Sequence, residues 1–198
     1  MDRRVFLQSA VAAGVSAAAV PALAAKFAAL TEVSGSIRAV TGNRSAIEIE
    51  QAAIRELSDS LRGNLLMPGN PGYDTARRVL NGGIDRHPAF VVQPVGATDI
   101  RKAVTFARDR DLLLAVKCGG HSYAGKSTCD GGLQIDLSTF RHARVDAQNR
   151  VAHVAGGSLL GEIDRESMAV GLVTTAGTVS HTGVGGLTTA GGFGRVGR

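Results

Sequence analysis

Residues 117–132 read KCGGHSYAGKSTCDGG, an imidazole, two thiols and two ammonium groups threaded through glycines. Residues 120–127 (GHSYAGKS) fit the G-x-x-x-x-G-K-[ST] phosphate loop letter for letter; that motif cradles phosphates on backbone N–H groups at a helix N-terminus. The same stretch also reads as a turn that holds a dinucleotide and sets His121 at its edge. Successive amides in glycine-rich turns form a concave anion site without any helix, and a pyrophosphate fits such a site. A lone histidine is ordinarily a satisfied structural residue, but the flanking Gly119, Gly120 and Ser122 favour a functional one.

The element on the C-terminal side of the loop separates the two readings. A phosphate loop needs a helix from Lys126 onward, yet Ser127 leads into Thr128-Cys129-Asp130-Gly131-Gly132 and then an apolar run at 133–137. Glycines and a β pattern predict a strand there, so the triphosphatase match is read as accidental and the weight moves to residues 119–121. Gly192, Gly194 and Gly197 satisfy G-x-G-x-x-G, but that fingerprint also needs a helix and an acidic residue about twenty positions on, and neither lies within the chain. Cys118 and Cys129 flank the loop. An oxidising compartment permits their pairing, but two inert buried thiols are the expected state. No second Cys/His pair has ligand spacing, so no metal site is expected.

The elements that must position this loop are read from periodicity. Residues 46–62 predict a helix, with Ile47, Ile54, Leu57 and Leu61 near a 3.6 period and Gly63 as its stop. Residues 89–92 predict a strand. Thr98 and Asp99 then open a helix whose apolar face is Ile100, Ala103, Val104 and Ala107, and residues 112–116 give a second strand, the three forming a parallel β-α-β unit. Residues 133–137 predict a strand of alternating polarity, and 144–155 two strands turning at 146–149. Ser158 caps a helix to Ala169 that stops at Gly171, and 172–175 form another strand. The glycine-rich run 176–198 predicts no helix or strand, so the chain is read as the N-terminal part of a longer protein.

The first 24 residues read as an export signal: Arg3-Arg4 in a twin-arginine pattern, an apolar stretch from Ala10 to Val20, then Pro21 and the small-residue site Ala22-Leu23-Ala24. The stretch is too short and too weakly apolar for stable membrane insertion. The expected partner is the twin-arginine export machinery, and the expected location periplasmic or extracellular. That segment carries a net +1, so the formal charge of +5 falls to +4 without it. No dense Lys/Arg run remains, there is no Trp, and aromatic content is 4%. Nucleic-acid binding therefore has neither an electrostatic footprint nor a stacking platform.

The run from Lys117 through Ser122, with Gly125, Asp130-Gly131-Gly132-Leu133 and Ile135-Asp136-Leu137-Ser138, resembles the flavin-attachment segment of the berberine bridge enzyme-like FAD oxidoreductases, of the vanillyl-alcohol-oxidase superfamily. The match runs back through Leu61, Gly63, Pro68, Tyr73, Ala76-Arg77, Asn81, Ile84-Asp85 and Pro88. It runs forward through Ala155-Gly156-Gly157, Gly171-Leu172, Gly183-Val184-Gly185-Gly186 and Gly191-Gly192-Phe193-Gly194. It thus covers nearly everything from about residue 55.

The resemblance implies an α+β fold: a PCMH-type FAD-binding domain of two α/β subdomains, incomplete at the C-terminus. It would span 84–198, after the signal at 1–24 and a helical or linker segment at 25–83. It implies cofactor contacts at Lys117, Cys118, Gly119, Gly120, His121, Ser122 and Gly125, and at Gly177, Thr178, Gly183, Gly185 and Gly186 in a second loop. It implies FAD bonded through a His121 ring nitrogen to the flavin 8α-methyl. Some members add a cysteine anchor in the second loop. Val179 stands there, so attachment through His121 alone is expected. Lys117 replaces the usual arginine, and Leu80 a frequent aromatic. The family's substrate domain and base lie beyond residue 198, so no catalytic residue is assigned. The implied function is oxidation of a small alcohol, sugar or amine, with oxygen or another acceptor reoxidising the flavin. The alternatives are an inactive fragment or a non-catalytic flavin-binding module and, more remotely, a phosphate-loop nucleotide-binding protein.

Overall fold

The structure is a computed structural model that describes residues 35–194. The expected export signal and the first residues of the linker lie outside the described residues. The fold is mixed α+β. A hairpin of β1 (Ile37–Val40) and β2 (Ala46–Ile49) precedes α1 (Gln51–Ser60). The helix expected from residue 46 therefore begins five residues later. Ala46-Ile47-Glu48-Ile49 pairs with β1 instead, from Val40↔Ala46 to Ile37↔Ile49, around a turn in which the Thr41 hydroxyl accepts from Ser45 N–H at 3.0 Å. This polar turn overrides the helical period. The helix also stops short of Gly63, because Leu61 is already extended.

A four-stranded sheet carries the rest, in the order β3-β4-β6-β5. β3 (Asn64–Leu66) runs antiparallel to β4 (Phe90–Gln93), whereas β4, β6 (Leu133–Asp136) and β5 (Leu114–Lys117) are parallel. α2 (Tyr73–Arg77) lies between β3 and β4 in the chain. The sheet thus spans the boundary expected at 83/84. The β-α-β unit forms through α3 (Ala97–Asp109), but its two strands are not neighbours, since β6 fills the place between them. Ala103, Phe106 and Ala107 are the buried face of α3, with Phe106 rather than Val104 turned inward. The Phe106 ring meets Phe90 edge-on, centroids 6.2 Å apart.

Asp99 does more than favour the first turn of α3. Its fully buried carboxylate accepts N–H bonds from Arg62, Gly63 and Val95, each at 3.0 Å, clamping the entry to β3 against the start of α3. Burial alone would raise its pKa, but the three donors outweigh burial and hold it below the ordinary carboxylate range.

The expected polarity alternation of β6 does not produce a wet face. Gln134 and Asp136 are fully buried because β6 is a central strand, and neighbours bond to both. Gln134 Nε2 donates to Ala76 O at 2.9 Å, and Asp136 accepts from Gln93 Nε2 at 3.0 Å and Ser138 N–H at 3.1 Å.

A second lobe comes next in the chain. β7 (Ala143–Asp146) and β8 (Val151–Val154) form the expected hairpin, its turn held by Asp146 accepting from Asn149 N–H. α4 (Leu160–Met168) packs on it, with Glu162 reaching back to Leu159 N–H. Ser158 does not cap this helix; its hydroxyl is exchanged with the His142 backbone instead. Gly171 ends the segment at φ +70°, as expected for a left-handed stop. Two expectations fail here. Residues 172–175 are not a strand, since no strand among the described residues pairs with them. The run after Ala176 is not elementless, because α5 spans Val184–Ala190.

Candidate functional site

β5 delivers the chain into the first loop through Lys117, whose side chain is buried. Its ammonium donates to the carbonyls of Ala76 and of Arg78, the latter at 3.3 Å, and pairs with Asp136 Oδ1 at 3.2 Å. This places Lys117 under the loop as an anchor between α2 and the central strand.

The loop itself is held by the segment that precedes β4. Gly120, at φ +70°, turns the chain, and its carbonyl accepts from Leu80 N–H at 3.0 Å. Asn81 Nδ2 donates to Tyr123 O at 2.9 Å, and Arg86 Nη1 donates to the carbonyls of Gly125 and Thr128, both at 3.1 Å. Ser122 Oγ accepts from Lys126 N–H at 3.0 Å. No helix starts at Lys126; turns lead into β6. The triphosphatase reading therefore lacks the element it needs.

The second loop is stitched to the start of α4. Leu160 N–H donates to Thr182 O at 2.9 Å, Gly161 N–H to Ser180 O at 2.8 Å, and Val184 N–H to Ser158 O at 2.8 Å. This brings Gly183 against Gly119, backbone to backbone. A Cβ added at Gly119 would lie 2.8 Å from Gly183 Cα, and one at Gly183 would lie 2.9 Å from Gly119 Cα. Only two glycines fit that approach.

The two loops enclose a cleft of about 500 Å³, larger than the 260 Å³ groove between α1 and α3. Val116, Leu187 and Ala190 give it apolar wall; Ser122, Ser127, Thr182 and Thr189 give it hydroxyls. Its floor carries backbone amides. Among the described residues, the N–H groups of Gly120, His121 and Ser122 have no acceptor. Gly120 is buried, and a buried donor left unpaired is costly unless something else accepts from it. The His121 and His181 rings stand 4.7 Å apart between centroids, tilted by 55°. Burial, then the neighbouring His181, lower the His121 pKa, partly opposed by a bond to the His181 backbone. Both lowering effects favour the neutral form of the imidazole, the form that can act as a nucleophile. Cys118 and Cys129 are unpaired, and burial raises both thiols, Cys129 to about 11. Among the described residues, no group of three or more His, Cys, Asp or Glu could hold a metal, and no helix is long and apolar enough to cross a membrane.

Of the residues singled out in the sequence, Cys118, Gly119, Gly120, His121, Ser122, Gly183 and Gly186 line this cleft. Five do not. Lys117 is committed to Asp136. Gly125, at φ +72°, closes the loop over Ile84. Gly177 packs against Leu160 and Leu187, and Gly185 against the Gly156 carbonyl and Cys118 Sγ. Thr178 lies outside the lining. Sequence reasoning missed Thr182, Leu187, Thr189, Ala190 and Gly191, which come with α5. It also discarded Lys126 and Ser127 along with the triphosphatase motif, although both line the cleft.

Residues 88–198 match the model of a family described as FAD binding domain. The chain belongs to that family. It is 36% identical over 146 residues to an FAD-linked oxidoreductase of Dictyostelium discoideum, covering 73% of this chain and 32% of the relative. It is 30% identical over 135 residues to (R)-6-hydroxynicotine oxidase of Paenarthrobacter nicotinovorans, covering 68% and 30%. Among solved structures it superposes on BBE-like 1 of Physcomitrella patens with a TM-score of 0.65 at 27% identity, covering 72% of this chain and 31% of the other. The fold is thus that of the PCMH-type FAD-binding oxidoreductases, and the family is one of FAD-linked enzymes. The chain spans about a third of the length of these relatives.

Proposed function

We propose that this chain is the FAD-holding part of an exported flavin oxidoreductase. The observation that carries the reading is the row of amides at Gly120, His121 and Ser122 with no acceptor among the described residues, beside the His121 imidazole, where two glycine loops meet backbone to backbone. The fit to FAD is chemical. A diphosphate supplies the acceptors those amides lack, and Val116 and Leu187 offer apolar surface to flat rings. A cleft of about 500 Å³ takes the middle of a dinucleotide and leaves its ends extending beyond.

When bound, the flavin would take two electrons with a hydride from a substrate C–H and pass them to dioxygen or another acceptor. This chain's residues bind and orient. Gly119 and Gly183 keep the loops close enough for both to reach one ligand. The amides of residues 120–122 hold the diphosphate. His121 would supply the ring nitrogen for a single covalent bond to the flavin 8α-carbon, replacing one of its C–H bonds as the proton is lost to water and the two electrons pass through the flavin to dioxygen, with Val179 where a second anchor would require cysteine. The substrate is an alcohol, sugar or amine; (R)-6-hydroxynicotine oxidase and xylooligosaccharide oxidase, among the similar proteins, are named for an amine-type and a sugar substrate. The twin-arginine pattern supports export to the periplasm or beyond, by a route suited to proteins that fold around a cofactor first. Titrating the purified chain with FAD and monitoring quenching of flavin fluorescence tests the reading. Saturable binding that Gly119→Ala abolishes supports it; absence of binding refutes it.

A further inference from the structure

Among the described residues, Lys126 is the one lysine or arginine on the lining of this cleft, and no aspartate or glutamate shares the lining with it. Its exposed side chain stands four residues from Ser122, and its own N–H is fixed on Ser122 Oγ at 3.0 Å. It therefore borders the unpartnered amides of residues 120–122. Lys117, which the resemblance gives as a cofactor contact, is buried and neutralised by Asp136 at 3.2 Å, so it cannot compensate a ligand's charge. We propose that Lys126 supplies the positive charge that compensates the cofactor's diphosphate. This rests on the FAD reading above and adds to it the residue that sets the electrostatic part of the affinity.

Three neutral amides solvate a diphosphate without cancelling its charge. An exposed ammonium beside the ligand contributes an attraction that salt weakens. For an exposed lysine this amounts to about a two- to fivefold change in affinity. The serine after it, Ser127, also lines the cleft, so Lys126 and Ser127 would meet a phosphate after all, from a turn rather than from a helix.

The test uses the 198-residue chain carrying His121→Ala, so that binding stays reversible, and compares it with versions that also carry Lys126→Gln or Lys126→Arg. Dissociation constants for FAD are read from fluorescence quenching across a series of salt concentrations. The expected result is about a two- to fivefold weaker constant for Lys126→Gln at low salt, a shallower salt dependence, and recovery of both with Lys126→Arg. A merely structural role would weaken binding without flattening the salt dependence and without rescue by arginine. Unchanged affinity and salt dependence in Lys126→Gln, or a loss showing that structural pattern, would overturn the proposal. If neither the His121→Ala parent nor the chain with His121 intact binds FAD, the cofactor reading of the cleft fails and this assignment falls with it; if only the chain with His121 intact binds, His121 rather than Lys126 sets the affinity and the proposal is overturned. Loss confined to the Lys126 variants bears on Lys126 alone.

Discussion

Replacing Lys117 with methionine separates its anchoring role from the cofactor-binding role that sequence comparison suggested. The side chains of Lys117 and Asp136 are 7% and 0% exposed, so the full cost of breaking a buried pair applies, about 3–5 kcal/mol. The structure places this case at the low end. Without the ammonium, Asp136 keeps Gln93 Nε2 at 3.0 Å and Ser138 N–H at 3.1 Å, and the Ala76 carbonyl keeps Gln134 Nε2 at 2.9 Å. Only the Arg78 carbonyl loses the donor found for it, at 3.3 Å. Lys117→Met should therefore cost about 3 kcal/mol, or roughly a hundredfold in the folding equilibrium. With a urea m-value of about 2 kcal/mol/M for a domain of this size, the unfolding midpoint drops by about 1.5 M. The assay is urea unfolding monitored by circular dichroism. The double variant Lys117→Met/Asp136→Asn should recover part of the loss, since it removes the uncompensated charge while the amide oxygen still accepts from Gln93 or Ser138. A loss below about 1 kcal/mol in the single variant, or no recovery in the double, is incompatible with a buried ion pair that anchors the loop.

The geometry sets three further expectations. Gly119→Ala drives a Cβ into the Gly183 backbone, where nothing flexible can yield, and should destabilise the chain by about 1–3 kcal/mol in the same assay. Asp99→Asn turns an amide nitrogen toward backbone donors that now meet a carboxylate oxygen, and should cost about 3 kcal/mol at neutral pH. Because the folded pKa of Asp99 lies below its unfolded value, its contribution is present above about pH 4 and fades as pH falls through the folded pKa; the gap between parent and variant in unfolding free energy should narrow accordingly. His121 should titrate below about 6.5 by imidazole NMR, since burial and then His181 disfavour its protonation. His181→Ala should move that value upward, and an unmoved titration contradicts the pairing.

The glycine loop was legible because its turn chemistry is local. His121 between glycines, a strand before and a strand after needed no tertiary information, and the same local logic ruled out the triphosphatase helix. The hairpin turning at 146–149 and the stop at Gly171 were legible for that reason too. What failed depended on partners far along the chain. Ala46-Ile47-Glu48-Ile49 fits a helix or a strand until β1 is available to pair with it. Residues 172–175 have strand composition but nothing to pair with among the described residues. Lys117 was expected as a cofactor contact, and only the parallel register Lys117↔Asp136 shows its charge to be spent within the sheet. α5 was hidden by its glycines: Val184 and Leu187 have helical spacing, but Gly185 and Gly186 lower its propensity, and its place depends on packing against α4's start. Lys126 was lost by a different route, because rejecting the triphosphatase helix took with it a residue whose position does not depend on that helix.

Whether the cleft holds FAD, and whether His121 bonds to it, is read most directly by mass spectrometry. The chain is incubated with FAD in air and then precipitated with acid to strip any flavin not covalently held. A mass increase of one FAD less two hydrogens is expected, carried on the peptide that contains His121 and absent from His121→Ala. Flavin that washes away in acid, or an adduct that persists in His121→Ala, would contradict attachment through this histidine.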